Sequence, residues 1–109
     1  MGVAATLFRV LANKHQLADY QFQQQMLNQS KFQLQAQLGS LWGITANLEP
    51  NSPTMLALNA QIAQIQTIDK GLELQSQRLS TQIQALQAES DGLNKVLEKN
   101  ISNTFKLLA

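Results

Sequence analysis

The sequence contains no cysteine. No disulfide framework and no thiolate metal ligand can form, and the redox compartment stays open between a cytosolic and an exported setting. Aromatic residues are few: four Phe, one Tyr and one Trp in 109 residues are a thin supply for the core of a compact globule. Charge is scarce as well, at 14% of residues, against about 25% in a typical soluble domain. With a formal net charge of +1 and eight Lys and Arg scattered along the chain, no field exists to gather nucleic acid, which is not expected as a partner. A long hydrophobic run is also missing. The best stretch, Phe32 to Leu48, is broken by Gln33, Gln35, Gln37 and Asn47, so no integral membrane span is expected. That stretch is nonetheless uncharged, and either protein or a membrane surface is expected to cover it. Met1 to Val10 lacks the length and cleavage pattern of a secretory signal, with Arg9, Lys14 and His15 close by, so export would use another route.

The place of charge is taken by seventeen Gln, all between Gln16 and Gln87. Glutamine keeps a helix compatible with water, yet costs less to bury than Lys or Glu when a neighbouring helix satisfies its amide. The surface reads as one built to be covered.

An aliphatic residue recurs every seventh position at Leu58, Ile65, Leu72, Leu79, Leu86 and Leu93. Seven residues are nearly two helical turns, so these side chains fall on one stripe and call for a helical partner. The first half repeats the pattern with Tyr20, Leu27, Leu34, Leu41 and Leu48. Between the halves stands Glu49-Pro50-Asn51-Ser52-Pro53. Pro50 disfavours helix at Glu49, while Ser52 before Pro53 has the order of an N-cap and a first-turn proline. The fold predicted is all-α: one domain over 1–109, with helices at about 3–48 and 53–107 and a turn at 49–53. The two ladders close an antiparallel helical hairpin, a coiled-coil-like rod, with Leu27, Leu34, Leu41, Leu48, Leu58, Ile65, Leu72, Leu79, Leu86 and Leu93 as its seam. Lys70-Gly71 and Asp91-Gly92 are potential breaks, but the ladder crosses both without losing phase, which favours a continuous second helix. Asp91 and Lys95 are also in the favourable order for a helical pair four residues apart.

The companion stripe of the second helix, Ile62, Asp69, Ser76, Ile83, Ser90 and Leu97, is half polar or small, so the seam is narrow. Toward the C-terminus the apolar face broadens through Leu93, Val96, Leu97, Ile101, Phe105, Leu107 and Leu108. The N-terminus mirrors it with Val3, Leu7, Phe8, Val10 and Leu11. One rod cannot bury both, which points to assembly through Leu7, Phe8, Leu11, Leu97, Ile101, Phe105 and Leu108.

No phosphate loop, nucleophile elbow or pair of catalytic carboxylates is present. No catalytic, cofactor-binding or metal-binding residues are predicted, and the chain reads as a non-enzyme. His15, the lone histidine, has no carboxylate nearer than Asp19 and reads as a surface or interface imidazole rather than a ligand. Asp69 is either a solvated seam edge or a buried group that sets register. Lys95, Lys99 and Lys106 suit the negative end of a helix dipole, with a basic patch as the alternative. Trp42, between Gly39 and Gly43, is either a packed aromatic near the turn or an anchor at a membrane surface. Phe22 and Met26 interrupt the Gln-rich run at Gln21 to Gln25, and helix is expected there rather than amyloid-like stacking.

The segment Pro50-Asn51-Ser52-Pro53-Thr54-Met55-Leu56-Ala57-Leu58 resembles the proline-flanked turn of type III secretion needle subunits. The ending Ile101-Ser102-Asn103-Thr104-Phe105-Lys106 is similar to the terminus of that family. The resemblance implies a hairpin that stacks into a hollow helical filament with its C-terminal helix toward the lumen; flagellar-type rod proteins share the pairing of terminal helices. The longer helices and the Gln enrichment are departures from the family. The function expected is a self-assembling structural subunit of a filament or tube, at the cell surface or outside it, whose partners are many copies of itself. A secretion machinery or a membrane surface is left open as a further partner. A cytoplasmic binding module, such as an export chaperone or scaffold, is the alternative, followed by a peripheral membrane protein that uses Phe32 to Leu48.

Overall fold

The structure, a computed structural model, describes residues 2–108; the outermost residues of the domain expected over 1–109 lie outside the described residues. It contains two long helices, α1 (Val3–Thr45) and α2 (Pro53–Leu108), joined by a short turn. Apart from Ser30, the buried and half-buried positions of α1 fall at Val3, Thr6, Val10, Asn13, Leu17, Tyr20, Gln24, Leu27, Lys31, Leu34, Leu38, Leu41 and Thr45, alternating three and four residues apart. From Met55 to Asn100 the covered positions of α2, Ser80 apart, follow the same alternation through Leu58, Ile62, Ile65 and Asp69. This is the seven-residue repeat of helices packed side by side. The ladder legible in the sequence is thus one of two parallel stripes on each helix.

Helix α1 ends at Thr45, three residues short of the boundary expected at 48. The backbone tightens there: Asn47 N–H donates to Ile44 O at 3.2 Å and Leu48 N–H to Thr45 O at 3.2 Å, bonds spanning three residues rather than four. Side chains complete the cap, Thr45 Oγ1 donating to Trp42 O at 3.0 Å and Asn47 Nδ2 to Gly43 O at 3.4 Å. These polar residues satisfy the last carbonyls locally, so the helix stops before Pro50 requires it. The link itself is a β-turn in which Ser52 N–H donates to Glu49 O at 3.3 Å. Pro50 fills its first central position and Asn51, at φ 64°, its second, the arrangement of a type II turn. Ser52 then caps α2 through Oγ, which accepts from Met55 N–H at 3.1 Å, and Pro53 opens the first turn.

The packing resolves into two units, Met1–Gln23 with Leu79–Ala109, and Gln24–Arg78. In the first, the terminal unit, Val10 of α1 is buried, as are Leu79, Ile83, Leu86 and Leu93 of α2. In the second, the turn unit, Leu38 and Ile62 are buried, flanked by half-buried Leu34, Leu41, Leu58 and Ile65. Among the described residues no helix is long and apolar enough to cross a membrane.

Helix α2 runs unbroken through Gly71 and Gly92. Both are exposed, and a Cβ at either would meet open space. Alanine at each position is therefore expected to raise stability by up to about 1 kcal/mol. A higher midpoint of thermal or urea unfolding for Gly71→Ala and for Gly92→Ala is the expected reading; a lower one would mean that the helix is not formed there.

Candidate assembly surface

The seam takes in more polar groups than an apolar stripe needs, and most of them are paired. In the terminal unit Asn100 Nδ2 donates to Thr6 Oγ1 at 3.3 Å, and Thr6 Oγ1 donates to Gly2 O at 3.0 Å. Asn13, almost fully buried, donates from Nδ2 to Leu86 O at 3.1 Å, while its Oδ1 has no protein partner. In the turn unit Lys31 pairs with Glu73, and Gln35 Nε2 reaches Asp69 Oδ2 at 3.5 Å. Asp69 is half-buried, its Oδ1 inaccessible and without a protein partner, so the register-setting reading fits it better than that of a solvated edge. These pairs tie particular positions of α1 to particular positions of α2. A slip by one seven-residue repeat would break the side-chain pairs: Lys31 would exchange Glu73 for Gln66 or Ser80, and Gln35 would exchange Asp69 for Ile62 or Ser76.

The hydrogen bond to Glu73 raises the Lys31 pKa above the ordinary lysine value, and the charges of Glu73 and Asp69 add to that against the opposing effect of burial. A raised folded-state pKa makes the stabilisation complete below the ordinary lysine value and removes it as pH climbs through the raised one. The difference in unfolding midpoint between the parent chain and Lys31→Met should hold constant through neutral and mildly alkaline pH, then shrink as Lys31 deprotonates. A difference that does not change with pH would exclude the pair as its source.

With the seam assigned, the apolar residues left outside it become visible. The four Phe, at positions 8, 22, 32 and 105, are 62–77% exposed and Trp42 is 51% exposed; Tyr20 alone among the aromatics is drawn into the seam, half-buried. In the terminal unit Leu7, Phe8 and Leu11 stand exposed on α1, and Ile101, Phe105 and Leu108 form a stripe four and then three residues apart on α2. Leu97, assigned from the sequence to assembly, is instead half-buried at a seam position of α2, and Val10 of the N-terminal face is buried. Their place in the repeat decides this: Val10 lies ten residues before Tyr20 and Leu97 four after Leu93, which puts both on seam stripes rather than on the outer face. The ten residues predicted for the seam are all buried or half-buried. The turn prolines stand exposed at the link.

The sequence reading missed the companion stripe of α1, which holds Leu38, the most buried of the apolar residues, and the polar members Thr6, Asn13, Lys31 and Asn100. The signal was available: Thr6 and Asn13 continue the Tyr20 ladder backward by sevens, and Asn100 continues the Leu93 ladder forward. His15, Lys95, Lys99 and Lys106 are exposed. Among the described residues no group of three or more His, Asp or Glu gathers. An open groove of about 530 Å³ in the turn unit is lined by Ala36, Gln37, Ser40, Leu41, Gln61, Gln64 and Ile65. No known family model, characterised protein or solved structure matches this chain.

Proposed function

We propose that the chain is a structural subunit that assembles with many copies of itself into a helical filament or tube. The observation that carries this reading is the placement of the large aromatics: all four Phe and the Trp lie outside the seam. Such side chains contribute about 1.5–3 kcal/mol each when fully buried, and a hairpin that held them for its own stability would turn them inward. Left outside, beside Leu7, Leu11, Ile101 and Leu108, they favour contacts between subunits. The shortage of charge supports the same reading, because few ionised groups have to be desolvated when copies pack together. The resemblance of the turn and of the C-terminal segment to needle subunits is in keeping with a filament geometry.

Sedimentation velocity across a wide concentration range, with negative-stain images of the same samples, tests the proposal. Open-ended growth into elongated assemblies is expected. A discrete dimer or small oligomer at every concentration would favour a scaffold or chaperone that holds a partner helix, and would overturn the filament reading.

A further inference from the structure

Of the eight Lys and Arg and seven Asp and Glu, only Glu49 falls within residues 32–68. That segment, all of it in the turn unit, comprises the last part of α1, the turn and the first part of α2. Its outward positions are as open as those of any surface helix: Gln33, Gln37, Gly39 and Trp42 on α1, and Gln61 and Gln64 on α2, are all exposed. A helix face that remains in water ordinarily carries charge opposite its apolar stripe. Here both helices present amides, hydroxyls, small residues and aromatics instead.

The chemistry of the segment narrows what can cover it. A charged partner would find no counter-charge. A hydrocarbon surface would strand the amides of Gln33, Gln37, Gln61 and Gln64, which need hydrogen bonds once they leave water. A second copy meets neither obstacle: each Gln amide both donates and accepts, so a glutamine face is complementary to itself as a charged face is not. The surface also holds both parts of a packed contact. Trp42 and Phe32 are exposed on α1, and a groove is lined by Ala36 and Ser40 of α1 with Gln61 and Gln64 of α2; at helical spacing Phe32 falls beside Ala36, while Trp42 falls well round the helix from Ala36 and Ser40. Gly39, exposed on α1, adds no side chain to the segment, and a Cβ at that position would meet nothing within 4 Å.

We propose that residues 32–68 are an interface between copies of this chain, with Trp42 of one copy seated in the Ala36, Ser40, Gln61 and Gln64 groove of the next. This rests on the assembly reading above and names the part of the subunit that carries the contact. Head-to-tail contacts follow, closing into a ring or growing into a helix, since each copy supplies both a knob and a recess and the two lie on different sides of α1.

Trp42 is the only tryptophan, so its fluorescence reports the segment directly. As the protein assembles, its emission should shift to shorter wavelength and its quenching by acrylamide should fall several-fold. The second measurement compares Gly39→Lys with Gly43→Lys in one chain against Gly92→Lys in another, by sedimentation and circular dichroism. All three glycines are exposed with open space at Cβ, and Lys is a better helix former than Gly, so helical content should hold or rise. The double variant should stay monomeric at concentrations at least tenfold above those at which the parent assembles, while Gly92→Lys assembles like the parent. Assembly of the parent with unchanged Trp42 emission and quenching would overturn the interface and leave the filament reading standing; so would normal assembly of the double variant, or equal loss in Gly92→Lys. A parent chain that is monomeric throughout would overturn both. Co-flotation of the parent with phosphatidylcholine vesicles, abolished in the double variant, would assign the segment to a membrane surface and overturn the proposal.

Discussion

Replacing Ile101 and Phe105 together by Asp is expected to yield a chain that keeps its helical circular dichroism and no longer assembles. Both side chains are exposed in the subunit, at 42% and 69%, so neither supports the seam. Fully burying such a side chain from water contributes about 1.5–3 kcal/mol. With only the exposed part of each left to bury, losing the pair weakens association by about 2–3 kcal/mol, roughly thirty- to a hundredfold, before the cost of desolvating two carboxylates is added. Aspartate near a helix C-terminus also opposes the helix dipole by about 0.3–1 kcal/mol, an effect of the opposite sign for Lys. The companion variant Ile101→Lys with Phe105→Lys separates the two causes: if the face matters, both charged versions stay monomeric with intact helices. Electron microscopy of either showing filaments like those of the parent would remove this stripe from the interface.

Leu38→Ala should be among the most destabilising single changes. Leu38 is 3% exposed, and in the turn unit only Ile62 is comparably covered among the apolar residues described. Buried Leu to Ala costs about 2–5 kcal/mol, a large fraction of the roughly 5–15 kcal/mol by which native domains are stable. Leu74→Ala, at a 56% exposed position of the same unit, removes the same atoms and should change stability by no more than about 0.5 kcal/mol. Urea unfolding of both variants in the non-assembling Ile101→Asp, Phe105→Asp background measures the subunit without the contribution of its neighbours. Equal losses at the two positions would mean that Leu38 is not in the seam.

The two predictions draw on different levels of legibility. The exposure of Leu7, Phe8, Leu11, Ile101, Phe105 and Leu108 was readable from the chain, because these residues stand out of phase with the seven-residue ladder. The depth of Leu38 does not follow from the Tyr20 to Leu48 ladder, because Leu38 lies on the companion stripe of α1. Leu97 shows the same difficulty in reverse: an apolar residue near a broad apolar end belongs to the outer face by composition and to the seam by phase. Phase prevails where the partner helix is present, as Leu97 is half-buried.

The sequence by itself determined that the chain forms two long helices, where the turn between them falls, and which leucines and isoleucines share a face. Those properties are local or periodic: a proline pair, an N-cap serine and a repeat of seven act within one helix or one turn. The stop of α1 at Thr45 and the left-handed Asn51 are also local, held by hydrogen bonds within the turn, whereas the tertiary structure alone decided that Thr6 meets Asn100 while Lys31 meets Glu73. A periodic pattern states which side chains point toward a partner but not which partner residue faces each of them. Register is a relation between two helices, and here it rests on a few polar pairs in an otherwise repetitive seam.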